Sequence, residues 1–415
     1  MITSFAAPHA KGKIAKDKIF GAAAAAKADI AKYGKEVVVN GTQGCILDED
    51  GKLVCLPTIE KEFRKLPMTE IISYAPIAGL PEYLDMVQTA CFGAHRPQGY
   101  TAAIATTGGT GGIHHAIHNY TSVGDTVLTS EWYWAAYKNL CLDNNRELDT
   151  YTMLNDKETF NIVALDKQVR SLLVRQDSVL IIINTPAHNP TGYSLSLQEM
   201  QAVVNVAEKC AKDMGKKVIL FIDAAYLDYA GDKDEVRKVF NAFSDLPDGV
   251  LTIVEYSMSK SFTMYGQRVG AMIGISGNEE VITEFKNINT YTSRATWSNI
   301  NRACMHLLVN VYSNPETLKR VEEERNFYYK MTKARADVFM KEAKECDLEI
   351  IPYKAGFFIS IPSKQPDAVC EKLHANHVFI VPLAAGIRVA VCAIPLKQMP
   401  GLAAKIKKIL VSVEG

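Results

Sequence analysis

The chain has 415 residues, 48% hydrophobic and 22% charged, an ordinary globular makeup long enough to bury a large core and to hold two or three structural units. Lys and Arg number 46 against 46 Asp and Glu, so the balance speaks against a protein whose partner is a nucleic-acid backbone or an anionic membrane. Nine scattered cysteines without a CxxC pair suit reduced thiols in a cytoplasmic setting better than a disulfide framework or a metal site, and no apolar run reaches the length of a membrane span.

At the N-terminus, Lys11, Lys13, Lys16 and Lys18 precede the apolar residues 19–26, which imitates a secretory leader. The apolar run is short for that role, and residues 22–32 read more simply as a helix ended by Gly34. Candidate strands follow at 102–106, 126–129, 179–184, 218–223, 252–257 and 270–275, short and rich in Val, Ile and Leu. Their apolar residues are continuous rather than alternating, the pattern of strands buried on both faces of a mostly parallel sheet. Helices are predicted between them at 111–120 and 196–214, the second with a stripe of Met200, Val203, Val204, Ala207 and Ala211. Beyond Pro315 the character changes to a long charged helix over 316–344, strands near 356–361 and 387–392, and a Lys-rich last helix. The expected fold is α/β: a large domain with a mostly parallel sheet sandwiched by helices, plus a smaller α+β domain. The expected divisions are 1–56 for an N-terminal segment joining the small domain, 57–312 for the large domain and 313–415 for the small C-terminal domain.

Ligands of open parallel sheets sit beyond the carboxyl ends of the strands, so residues just after each strand are the candidates for chemistry. Four places qualify. Residues 106–113, with Gly108, Gly109, Thr110, Gly111 and Gly112, leave a strand and open a helix, where backbone N–H groups can meet an anion. They form no Walker motif and match the dinucleotide fingerprint only loosely, so a tight turn is the plain alternative. The run Ala187-His188-Asn189-Pro190-Thr191-Gly192 is turn chemistry that also holds an amide donor rigidly. Asp223 closes an apolar strand, a costly place for a carboxylate unless a positive partner meets it, and Tyr226 lies three residues on. Finally Ser257-Met258-Ser259-Lys260 follows a buried strand, where a desolvated lysine suits Schiff-base chemistry, and Arg268 is placed to fork onto a phosphate.

A phosphate cradle, an acid for a ring nitrogen, hydroxyl donors and an imine-forming lysine are together the inventory of a pyridoxal 5'-phosphate (PLP) site. Their order and spacing resemble the class I aminotransferases of the aspartate and aromatic amino-acid type, along nearly the whole chain. Residues 17–21, 40–45 and 74–82, the Ala-His-Asn-Pro-Thr-Gly run and the Ser-x-Ser-Lys block are similar to that group's landmarks.

The resemblance implies fold type I and roles residue by residue. Lys260 links to the cofactor aldehyde and later moves a proton; Asp223 pairs with the pyridine nitrogen. Asn189 and Tyr226 donate to the ring's phenolic oxygen, and Asn189 also borders the substrate. Gly109, Thr110, Ser257 and Arg268 bind the phosphate, with Tyr74 reaching the phosphate of a neighbouring subunit in a homodimer. His188 stands behind Asn189. Trp132 stacks on the ring, although this chain continues Tyr133-Trp134 where the family has Asn-His, which leaves Trp134 as the alternative. Arg388 clamps the substrate α-carboxylate, Gly44 approaches it by backbone, and Arg294 enters the partner's site to meet a side-chain carboxylate. In the family a proline usually follows that arginine; here it is Ala295.

The implied activity is amino transfer between an amino acid, aspartate or glutamate favoured, and a 2-oxo acid such as 2-oxoglutarate, by ping-pong chemistry. Aromatic amino acids are the alternative donors, and a PLP lyase, decarboxylase or racemase would use the same lysine and aspartate. A nicotinamide enzyme built on residues 108–112 and a non-catalytic ligand-binding module complete the alternatives.

Overall fold

The computed structural model describes residues 4–14 and 18–415. Lys16 and Asp17, which figure in the N-terminal readings above, lie outside the described residues. Helix α1 (Lys18–Tyr33) ends where Gly34 takes a positive φ of 88°, the left-handed stop that glycine adopts at least cost.

The central sheet has seven strands: β1 (Tyr100–Thr106), β2 (Thr126–Ser130), β3 (Glu147–Tyr151), β4 (Ser178–Asn184), β5 (Lys217–Asp223), β6 (Val250–Ser257) and β7 (Gly270–Ser276). Their order is β1-β7-β6-β5-β4-β2-β3. Only β7 runs against its neighbours β1 and β6; the other pairs are parallel. The alternation of side chains explains the continuous apolar runs. Leu180, Ile182, Ile219, Phe221 and Ile253 face a layer that includes α2 (Gly108–Tyr120), whose Ile113 and Ile117 pack there. Val179, Ile181, Ile183, Leu220 and Val254 face the opposite layer with α3 (Leu197–Met214). Both faces are covered, so apolar residues predominate on either side of these strands, with buried polar residues such as Thr252, Glu255 and Asp223 as exceptions.

Two elements differ from expectation. Strand β3, Glu-Leu-Asp-Thr-Tyr, was absent from the sequence reading; it pairs only with β2, at the sheet edge, and most of its residues remain partly exposed. An edge strand needs no apolar run, and this one has none. Helix α2 begins at Gly108 rather than 111, so the glycines form its first turn.

Helix α3 is closed at its start by a reciprocal capping box between Ser196 and Glu199 and at its end by Gly215 in the left-handed region, φ 63°. Helix α4 (Glu279–Thr296) lies against β1 and β7. Helix α5 (Pro315–Glu345) is the long charged helix and contributes to two cores. Its Val321 belongs to the main core, whereas Ala336, Phe339 and Ala343 join a second cluster with strands β8 (Phe358–Pro362) and β9 (Gly386–Ala390) and with α6 (Leu402–Glu414). Strands β8 and β9 are antiparallel. Residues Val39–Asn40 pair in parallel with Val378–Phe379, tying the N-terminal segment to the C-terminal part of the chain.

Two buried arginines of α5 act as struts. Arg325 Nε donates to the Ser261 carbonyl at 2.6 Å. Arg335 Nη1 donates to the carbonyls of Leu47 at 3.0 Å and Cys392 at 2.8 Å. Arg325 also stands 3.6 Å from Asp228, whose other oxygen takes Arg237 Nη2 at 2.5 Å. Burial alone raises a carboxyl, but the two guanidiniums overcome it and hold Asp228 down at about 2.

All nine cysteines are free thiols. Among the described residues no helix is long and apolar enough to cross a membrane, and no group of three His, Cys, Asp or Glu is placed to hold a metal ion.

Candidate active site

The carboxyl ends of β4, β5 and β6 and the start of α2 open on one cavity of about 460 Å³. Its walls carry Gly109, Thr110, Asn189, Asp223, Tyr226 and Ser257. Lys260, Arg268, Gly44 and Arg388 complete the set, so residues far apart in the chain meet in one place.

Lys260 sits on the helical turn Met258–Ser261 immediately after β6. Its Nζ donates to the Gly44 carbonyl at 2.6 Å and lies 4.8 Å from the centre of the Tyr265 ring and 5.5 Å from that of Tyr226. Desolvation lowers its pKa to about 8, with the Arg388 and Arg268 charges acting in the same direction. A lysine so placed is partly neutral near physiological pH and can act as a nucleophile.

Asp223 ends β5 and is buried, 6% exposed. Burial raises its carboxyl; hydrogen bonds oppose the shift, the first from Tyr137. Tyr137 Oη donates to Oδ2 at 2.5 Å, and the backbone N–H of Ala225 donates to Oδ1 at 3.2 Å. Such a carboxylate is held in a fixed orientation at the cavity wall, suited to a positive partner.

Asn189 joins two other groups. Its Nδ2 donates to Tyr226 Oη at 3.3 Å, and its Oδ1 accepts from Arg388 Nη1 at 3.2 Å. Its own backbone N–H donates to Asn184 Oδ1 at 2.5 Å, which fixes the loop after β4. Arg388, 2% exposed on β9, stacks 4.2 Å over the Phe358 ring and donates to the Thr42 carbonyl at 2.8 Å. His188 is buried behind this loop with Nδ1 at 2.8 Å from Thr191 Oγ1, and burial lowers its pKa to about 3, so it is neutral.

Across the cavity, Arg268 takes the left-handed backbone region, φ 56°, and donates from Nη1 to Ser259 Oγ at 3.0 Å and the Tyr265 carbonyl at 2.9 Å. A Cβ on Gly108 would stand 2.7 Å from Arg268 Nη2. A side chain at 108 would press on this guanidinium, and the positive φ of 65° favours glycine there as well. The guanidinium, the first N–H groups of α2 and the Ser257 and Ser259 hydroxyls gather at this end, which is donor chemistry for an anion.

Three predicted residues stand elsewhere. Trp134 lines the cavity; Trp132 instead packs into the core, where a Cβ on Gly386 would come within 2.7 Å of its ring. Of the two candidates for the ring face, Trp134 is therefore the one on the cavity wall, because the backbone turns Trp132 toward β9. Tyr74 is 87% exposed, and Arg294, at the last turn of α4, is exposed and hydrogen-bonded to Ser298; neither lines the cavity of its own chain. The sequence reading missed Tyr137, Tyr265 and the buried Glu255. Trp134, just before the helix Ala136–Asp143, and Tyr137 on its first turn lie three apart with rings in edge contact at 5.7 Å.

Residues 37–406 match the family model for aminotransferase class I and II, and the chain belongs to that family. Its enzymes depend on PLP, and the residues here fit that group: an amine for the aldehyde, a buried carboxylate for the ring nitrogen and a cradle that a Cβ would fill. A solved aminotransferase from Anaerococcus prevotii is 37% identical with a TM-score of 0.95, covering 98% of this chain and 99% of that one. The cytoplasmic aspartate aminotransferase of Dictyostelium discoideum is 26% identical over 72% of this chain and 66% of its own length. The aromatic-amino-acid aminotransferase of Escherichia coli is 25% identical over 77% and 81%. An aromatic-amino-acid aminotransferase from Burkholderia pseudomallei, covalently bound to pyridoxal phosphate, shares the fold with a TM-score of 0.78 at 21% identity, covering 98% of this chain and 100% of that one.

Proposed function

We propose that the protein moves an amino group between a dicarboxylic amino acid, aspartate or glutamate, and a 2-oxo acid such as 2-oxoglutarate, by a ping-pong mechanism in the cytoplasm. The observation that carries this reading is the meeting, in one cavity, of a desolvated lysine, a buried aspartate and a buried arginine on a separate strand.

Bound PLP supplies an electrophilic aldehyde and an electron-withdrawing ring. The chain's own groups do the rest. Asp223, held by Tyr137, keeps a proton on the ring nitrogen through a charge-assisted hydrogen bond worth about 1.5–3 kcal/mol. Asn189 and Tyr226 orient the ring through its phenolic oxygen. Gly109, Thr110, Ser257 and Arg268 hold the phosphate, and Trp134 covers the ring face. Arg388 forks onto the substrate α-carboxylate beside the Gly44 backbone. Lys260 would be the amine that holds the aldehyde and, once displaced from it, the base that takes the proton from the substrate Cα. Amino acid and oxo acid alternate in the same cavity.

The exposure of Tyr74 and Arg294 supports a homodimer in which each is delivered to the partner's cavity, Arg294 to meet a side-chain carboxylate. Residues 57–312 form the large domain on this reading. Residues 1–56 and 313–415 form the small one, which closes over substrate. Aromatic donors are the second reading, favoured by the apolar Ile19, Phe20 and Ile113 on the cavity wall.

A panel of amino donors with 2-oxoglutarate, on wild type, Arg294→Ala and Lys260→Ala, tests both readings. Arg294→Ala is expected to lose far more activity with dicarboxylic than with aromatic donors, and an equal loss would remove the side-chain-carboxylate role. Lys260→Ala is expected to keep cofactor noncovalently and lose turnover; full activity would remove the mechanism.

A further inference from the structure

Glu255 lies two residues before Ser257 on β6 and is completely buried. It is the register partner of Asp223 on the parallel strand β5, so two carboxyls stand side by side beneath the cavity. Thr106 Oγ1 donates to its Oε1 at 3.3 Å, and its Oε2 has no hydrogen-bond partner. The surrounding backbone has been cleared for it. A Cβ on Gly112, in the first turns of α2, would overlap Oε2; one on Gly270 would meet the Tyr256 carbonyl at 2.6 Å as well as Oε1 at 2.8 Å. The carboxyl therefore occupies space that an ordinary side chain at 112 would fill, directly behind the turn that opens α2.

We infer that Glu255 is a positioning residue for the phosphate seat: a protonated carboxyl that props the 108–112 turn from behind while leaving the positive end of α2 to the cofactor's anion. This rests on the assignment of that turn to the phosphate. The charge state follows from the setting. A carboxylate here would be completely buried and beside Asp223, and both disfavour the charge, although the positive end of α2 opposes them. Burial and Asp223 both push its pKa well above the ordinary value, while Thr106 and Arg268 pull the other way. The other titratable groups that feel its charge are Tyr83, which donates to the Gly270 carbonyl at 2.9 Å, and Cys91; both are buried and raised, hence neutral. As pH climbs through the pKa of Glu255, a buried negative charge appears behind the seat and the grip on a phosphate weakens.

The test follows the rate at which PLP leaves the holoenzyme, across pH, by the visible absorbance retained after ultrafiltration. Wild type is expected to lose retention on the alkaline side by up to about tenfold per pH unit, the limit for one coupled proton, and Glu255→Gln is expected to flatten that limb. Titration of Lys260 is common to both proteins and drops out of the comparison. Superimposable profiles would overturn the role of Glu255. A steric arm is independent of pH. Gly112→Ala is expected to weaken retention at least about tenfold, a cost of the order of one overpacked methyl, and Gly112→Ala with Glu255→Ala to restore most of it. No recovery in the double variant, with far-UV circular dichroism showing both proteins folded, would equally overturn the proposal. Arg268→Ala separates the two levels. If it retains cofactor as wild type does, the phosphate is held elsewhere and the site assignment fails. If it releases cofactor faster while Glu255→Gln follows wild type at every pH, only the Glu255 inference fails.

Discussion

The hydrogen bond from Tyr137 to Asp223 joins two residues that nothing in the chain order connects. Each has a small polar tip in an apolar setting, and each leaves the other's group satisfied. Replacing Tyr137 with Phe removes one donor from a buried carboxylate without changing the ring that packs beside Trp134. A charge-assisted bond of about 1.5–3 kcal/mol predicts a fall in turnover of about tenfold or more, with the melting temperature nearly kept. Steady-state kinetics beside a thermal melt checks this; unchanged turnover would mean that Ala225 and Asn184 suffice to orient the carboxylate. Lys260, Asp223 and Asn189 stand out in the sequence because each ends or closely follows a largely apolar strand, where a polar residue has to justify its place. Tyr137 does not, because it lies on the helix Ala136–Asp143 and the reason for it lies on β5, distant in the chain. The choice between Trp132 and Trp134 was also out of reach, since it depends on how the loop after β2 turns rather than on either residue's chemistry.

Among the elements, the apolar strands were legible to within a residue or two, and α3 declared both its ends through Ser196, Glu199 and Gly215. Strand β3 left no signal because an edge partner asks only for backbone pairing. The short 3₁₀ turn Leu227–Tyr229 after β5 owes its position to charge instead: Asp228 is gripped by Arg237 and Arg325. Changing Asp228 to Asn strands two buried guanidiniums and is expected to cost about 3–5 kcal/mol, read by urea unfolding. The acid limb gives the sign. With its folded pKa at about 2, below the ordinary aspartate value, Asp228 contributes stability that is complete above that ordinary value and is lost as pH falls through about 2. Wild type should therefore lose stability over that window, and Asp228→Asn should lose less; parallel curves would show that the pair is not what acid breaks.

For the molecule as a whole, exposed apolar side chains gather near two sequence positions that the family resemblance assigns to a neighbour's site. Met68, Ile72 and Tyr74 are 65%, 72% and 87% exposed, and Tyr291 on α4 is 79% exposed. On the proposed shared-site reading a second copy of the chain would cover these side chains. Sedimentation should give a dimer, and Tyr74→Ala should release cofactor faster than wild type even where the dimer persists. A fully active monomer would end the shared-site reading. The division of the chain was drawn from a change in composition near Pro315, yet α5 takes part in both hydrophobic clusters, which no compositional boundary can express.

That double membership has a mechanical outcome. One rod braces the carbonyl of Ser261, next door to the nucleophile, and about three turns further along braces Cys392, just past the strand that carries Arg388. On the proposed reading, a substrate carboxylate that drew the Arg388 strand inward would load the same beam that supports the lysine turn, so shortening or bending that beam is expected to disturb both places at once.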